Sequence, residues 1–238
     1  MKIDAMANFI RMLVGIALLP ACWGVARSLV DATVAATGAA GAFGAESIAL
    51  LGGIAAFALC WTALPHPVRT YVLGHELTHA AWGLLFGAVP SSIRVGERGG
   101  SVRLTKTNML ITLAPYFFPF YTFVVIVVAL ATYAFARPLP LLPLWMFMIG
   151  FTWAFHVLFT LETLTERQPD VKIYGRIFSW TFIFMANVLL VLAFLAATTP
   201  VTFADVGHSL AKRVIGAYVS LFSCAASLVM RVRKGGGS

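Results

Sequence analysis

The chain has 238 residues, 60% of them hydrophobic and only 11% charged, with a mean hydropathy of +0.89. Soluble domains run at roughly 45–50% apolar and about 25% charged, so the composition argues against a soluble globular, disordered or collagen-like chain and leaves an integral membrane protein. The net charge of +8, from 17 Lys+Arg against 9 Asp+Glu, then reads as basic loops on the cytoplasmic side rather than as a nucleic-acid surface.

Taken in order, six apolar runs meet the ~20-residue crossing length, at 9–30, 47–65, 67–88, 108–134, 141–163 and 174–199. A seventh, 210–230, is flanked by Lys212 and Arg213 and by Arg231, Arg233 and Lys234, and suits either a span or an interfacial amphipathic helix. The expected fold is therefore an all-α polytopic membrane protein of six or seven transmembrane helices. The first run is too long for the apolar core of a signal peptide. Pro65-His66-Pro67 interrupts the helix between the second and third runs. The blocks expected are an N-terminal transmembrane hairpin (1–66), a core (67–199) and a C-terminal helix (200–234), with 235–238, Gly-Gly-Gly-Ser, as a linker outside the fold. Cys22, Cys60 and Cys224 lie inside apolar runs and define neither a disulfide framework nor a Cys-based metal site.

Residues 91–107 differ in kind, alternating apolar and polar around Gly99-Gly100 with Ile93 and Val95 on one arm and Val102 and Leu104 on the other. That pattern predicts a small β-hairpin. With the N-terminus outside, the hairpin carries Arg94, Arg98, Arg103 and Lys106 to the cytoplasmic side, together with Arg27, Arg167, Lys172 and Arg176. Asn108 is placed to cap the following helix. Pro115 and Pro119, four apart, are expected to distort it.

The third run contains Gly74-His75-Glu76-Leu77-Thr78-His79-Ala80, an H-E-x-x-H pattern on a helix. Residues four apart share a helix face, so both imidazoles reach one metal ion, and Glu76 is placed to take a proton from water beside it. Ionisable residues are costly at membrane depth and mark function there. Only five histidines are present, too few for the histidine boxes of membrane di-iron enzymes, so a mononuclear zinc site is the better reading. A catalytic zinc takes a third protein ligand. Asp4, Asp31, Glu46 and Asp205 fall at the opposite side or in the wrong loop, and Glu97 lies at the hairpin tip. Glu162, Glu166 and Asp170 remain, with His156 in the fifth run. Asp170, after Pro169 and at the head of the sixth run, is favoured; His156 and Glu162 stay open as alternatives.

The His-Glu-His helix, the Gly-Gly hairpin after it and Leu113-Ala114-Pro115-Tyr116 opening the next run resemble the site-2 protease family of intramembrane zinc metalloproteases, over roughly residues 67–190. The family's usual Leu-Asp-Gly is absent, and Gln168-Pro169-Asp170 stands in its place. The resemblance is to the compact branch without PDZ-type domains. It implies a zinc metalloendopeptidase with one Zn2+ per chain on His75, His79 and Asp170 and with Glu76 as the proton-transfer group. Its substrate would be a membrane protein cut in or near a transmembrane helix. It further implies residence in a bacterial cytoplasmic membrane with the site towards the cytoplasm, contact with the lipid bilayer, and room for a regulatory partner. Gly99 and Gly100 are expected to offer a strand edge to an unwound substrate. Asn187 reads either as a donor to the developing oxyanion or as an interhelical hydrogen-bonding group. A catalytically silent scaffold or assembly subunit is the alternative function, and a metal transporter comes behind it because the first two runs offer no polar path.

Overall fold

The computed structural model describes residues 5–39, 44–96, 99–166 and 168–235. Glu97 and Arg98 at the expected hairpin tip, Asp4, Arg167 and the last three linker residues lie outside them. In chain order the elements are α1 (Ala5–Ala17), α2 (Leu19–Ala39), α3 (Ala45–Ala63), α4 (Val68–Leu85), β1 (Pro90–Gly96), β2 (Gly99–Leu104), α5 (Met109–Leu113), a 3-10 turn (Ala114–Tyr116), α6 (Phe120–Phe135), α7 (Leu142–Thr165), α8 (Pro169–Ile173), α9 (Arg176–Thr198) and α10 (Phe203–Gly235). This is an all-α polytopic membrane protein with one two-stranded antiparallel sheet.

Among the described residues five helical stretches are long and apolar enough to cross a membrane: Met6–Gly38, Ala45–Ala63, Leu142–Thr165, Arg176–Thr198 and Phe203–Arg231. The pair Met109–Phe117 and Phe120–Phe135 makes a sixth if taken as one broken span, bent by 77°. The break falls at Phe118-Pro119, where proline cannot donate to the helical ladder, so the run 108–134 is angular rather than straight. The run 67–88 forms α4, but this 18-residue helix is not among the spans, because Arg69, His75, Glu76 and His79 dilute its apolar character. The doubtful run 210–230 is part of the long α10.

The chain divides into two compact units, Met1–Ala42 with Tyr174–Ser238, and Phe43–Ile173. They cut across the blocks 1–66, 67–199 and 200–234, since α3 belongs with the motif helix and α9 with the termini. In the first unit α2 packs against α9 and α10 around Val25, Ala32, Val188, Leu192 and Val206. Arg213 of α10 holds the Asp31 carboxylate of α2 through Nε and Nη2, at 2.6 and 2.7 Å, and Ser209 adds a third hydrogen bond at 3.0 Å. A charge pair of this kind in apolar helices needs both partners present.

The second unit holds the motif helix. Its framework is the α3–α7 pair, where a Cβ on Gly53 would lie 2.0 Å from Phe147 O and one on Gly150 would lie 2.1 Å from Leu50 O. Only glycine permits that approach, as in small-residue helix contacts in membranes generally. Phe57, Tyr71, Val72, Phe155 and Phe159 form the core between this pair and α4. On its other flank α4 carries the hairpin, α5 and the 3-10 turn.

The hairpin forms with Ile93 opposite Val102 and Gly96 opposite Gly99. Gly99 and Gly100 are the first residues of β2, and the tip expected at Glu97 lies outside the described residues. Gly99 adopts φ +125°, a conformation that favours glycine, and Gly100 is needed for contact with α4, as shown below. One correction concerns Asp170. It does not open the sixth span but sits in α8, a separate five-residue helix, because Gly175 at φ +83° breaks the chain before α9 begins.

Candidate metal centre

α4 carries His75 and His79 on one face, one turn apart, with ring centroids 4.8 Å apart and planes nearly perpendicular. Asp170 comes to them from α8. Its Oδ2 lies 3.6 Å from His75 Nε2 and 3.5 Å from His79 Nε2. The three ligand atoms lie within 4.8 Å of one another, so these residues can hold a metal ion. Two ligands on a tetrahedral ion at about 2.1 Å are separated by about 3.4 Å, close to both His–Asp distances. Two imidazoles and a carboxylate are a donor set able to hold a divalent metal ion.

The surroundings aim these ligands. His79 Nδ1 donates to Ile111 O at 2.8 Å, which fixes the tautomer and leaves the Nε2 lone pair facing Asp170. The Tyr116 hydroxyl donates to Asp170 Oδ2 at 3.2 Å, and its fully buried ring stands edge-on to His75. Both supports come from the short segment α5 and its 3-10 turn. Asn108 starts that segment by accepting from Ile111 N at 2.9 Å, the cap expected from sequence. Burial alone would raise the Asp170 carboxyl, but the imidazoles of His75 and His79 outweigh it and hold the group below the usual carboxylate range.

Glu76 is only 6% exposed. Its carboxylate lies under β2: a Cβ added to Gly100 would be 2.7 Å from Glu76 Oε1, 2.6 Å from Val72 Cγ1 and 2.8 Å from Arg94 O. The missing side chain at Gly100 is therefore what lets the strand lie on the motif helix. A cavity of about 840 Å³ opens over the cluster, lined by His75, Glu76 and His79, by Gly99 to Val102 of β2, by Glu162 and Glu166 at the end of α7, and by Asp170.

Of the residues singled out from sequence, His75, Glu76, His79, Asp170, Gly99 and Gly100 therefore share one cavity. Among the described residues the alternative third ligands are not part of that three-residue group. Glu162 lines the cavity but pairs with His66 at 3.4 Å, and His156 is buried on α7. Asn187 belongs to the other unit, where its amide donates to Ile183 O of its own helix at 2.9 Å. Tyr116 and the Ile111 carbonyl were not anticipated. A backbone oxygen has no sequence signature, and a tyrosine in an apolar run is ordinary.

Comparison with protein-family models, with curated proteins and with solved structures found no match.

Proposed function

We propose that the chain is an intramembrane zinc metalloprotease that hydrolyses a peptide bond in or near a transmembrane segment of a membrane-protein substrate. The observation that carries the reading is the Glu76 carboxylate: buried, adjacent to one ligand in sequence, and lining the same cavity as all three. A scaffold or a metal carrier needs the ligands alone, and burying one more carboxylate is costly unless it is used. The likeness of the motif helix to site-2 proteases supports the same conclusion.

His75, His79 and Asp170 would hold the zinc, one ion per chain. When bound, zinc supplies Lewis-acid polarisation of a carbonyl and brings the pKa of water close to 7. Glu76 accepts the proton from the attacking water and returns it to the leaving amine nitrogen. Tyr116 and Ile111 keep Asp170 and His79 in place while this happens. A transmembrane helix must unwind before its carbonyls are accessible, and unwound backbone at membrane depth needs partners inside protein. β2 pairs with β1 along one edge and lines the cavity itself, so an extended substrate segment can add as a third strand beside Glu76. The basic hairpin and α7–α9 connection favour a cytoplasmic site in a bacterial inner membrane.

The test is Glu76→Gln in protein reconstituted in bilayers with a single-span substrate. The variant keeps about one zinc per chain and loses cleavage. Cleavage at the wild-type rate, or zinc retained in both His75→Ala and His79→Ala, would overturn the reading.

A further inference from the structure

A metal-binding imidazole usually donates its second ring nitrogen to a partner that fixes its tautomer and direction. His79 does so through Ile111 O, but the Nδ1 of His75 is fully buried with no hydrogen-bond partner among the described residues. His75 also lines a second cavity. This one measures about 20 Å³ and is bounded by Gly74, Thr78, Pro115, Tyr121 and His156. That volume suits one water molecule, which needs ≳10–15 Å³ measured in this way, and leaves little room for a second. The walls offer polar groups besides His75. Thr78 Oγ1 donates to Gly74 O at 2.7 Å and keeps its lone pairs for an incoming hydrogen. His156 brings an imidazole from α7 into a wall that is otherwise largely aromatic and apolar.

We propose that this small cavity is a hydration site in which one water accepts from His75 Nδ1–H and is anchored by His156, so that His156 is a positioning residue for the metal ligand. The inference rests on reading His75, His79 and Asp170 as metal ligands. It gives each imidazole a distinct support: a carbonyl from the α5 segment for His79, and a water held by α7 for His75. It also accounts for a buried histidine outside the metal cluster, in a core built of Phe57, Phe155 and Phe159.

The experiment measures zinc affinity by chelator competition on the purified protein in detergent, for wild type, His75→Ala, His156→Phe and His156→Gln, with the absorption spectrum of the cobalt-loaded forms as a second readout. His156→Phe is expected to weaken zinc about 10–100-fold and to alter the cobalt spectrum, the effect typical of losing an outer-shell partner. His156→Gln, which can still hold a water, stays within about threefold of wild type on the same scale. Wild-type affinity in His156→Phe, or equal losses in both variants, overturns the inference while leaving the metal site intact. A wild type that binds no zinc, or a His75→Ala that binds it unchanged, removes the metal reading and the inference with it. Independently of whether His156→Phe folds, a high-resolution map of the wild type must show a density peak within hydrogen-bond reach of both His75 Nδ1 and His156. A cavity without that peak overturns the inference.

Discussion

Gly100→Ala tests the contact between hairpin and motif helix with a single methyl group. Its new carbon would lie 2.6 Å from Val72 Cγ1, 2.7 Å from Glu76 Oε1 and 2.8 Å from Arg94 O, against an ordinary contact of about 3.5–4.0 Å. Each overlap is therefore roughly 0.7–1 Å or more. The three neighbours do not yield alike. The glutamate can swing, valine is stiff about χ1, and Arg94 O belongs to the residue opposite Ser101 in the β1–β2 ladder. β2 must lift from α4, at a cost of about 1–3 kcal/mol typical of overpacking. None of the three overlaps involves His75, His79 or Asp170, so zinc content should stay at the wild-type level. Displacing Glu76 by about 1 Å should slow cleavage on the order of 100-fold. The assay compares thermal unfolding in detergent, zinc stoichiometry and cleavage of a single-span substrate in bilayers. A Gly100→Ala protein that melts and cleaves like wild type would refute the placement of β2 on Glu76.

Tyr116→Phe keeps the buried ring but removes the hydroxyl on Asp170, and should weaken zinc about 10-fold in chelator competition; unchanged affinity would separate Tyr116 from the metal site. Arg213→Ala should lower the thermal midpoint by more than Asp31→Ala/Arg213→Ala together, because the single change strands the Asp31 charge; equal midpoints would show that the unpaired carboxylate carries no cost. In a background without Cys22, Cys60 and Cys224, cysteines at Ser101 and at Ala136, on either side of the run 108–134, should react with impermeant reagents from opposite faces of the membrane, Ser101 from the cytoplasmic one. Labelling of Ser101 from the outer face would invert the proposed orientation.

The parts of the site visible in one dimension were those with a fixed local spacing. His75, Glu76 and His79 follow from the helical period, and the Asn108 cap follows from a preference confined to one turn. Asp170 emerged because acids are scarce, so elimination worked even though its helix was assigned wrongly. That error has a local cause: Pro169 signals a helix start equally well for five residues or for twenty-five, and the stop at Gly175 depends on a backbone angle. The glycine pair serves two ends that spacing does not show: one glycine adopts an unusual φ and the other makes room for Glu76. Tertiary partners left no trace. Ile111 O contributes only backbone to His79, and Arg213 meets Asp31 across 182 positions. Nothing in the linear spacing reveals that the helix of Asn187 groups with the termini.

The break between the two imidazoles and their carboxylate has a consequence in time. About 90 residues of chain separate His79 from Asp170, which at roughly 5–20 residues per second takes the ribosome about 5–20 s to make. Throughout that interval α4, with its 18 residues and polar face, has neither the hydropathy to partition into lipid alone nor the counter-charge that Asp170 brings. In the finished fold its apolar partners come from α3 ahead of it and from α6 and α7 behind it. The two imidazoles are therefore made well before the carboxylate that completes the three-residue cluster.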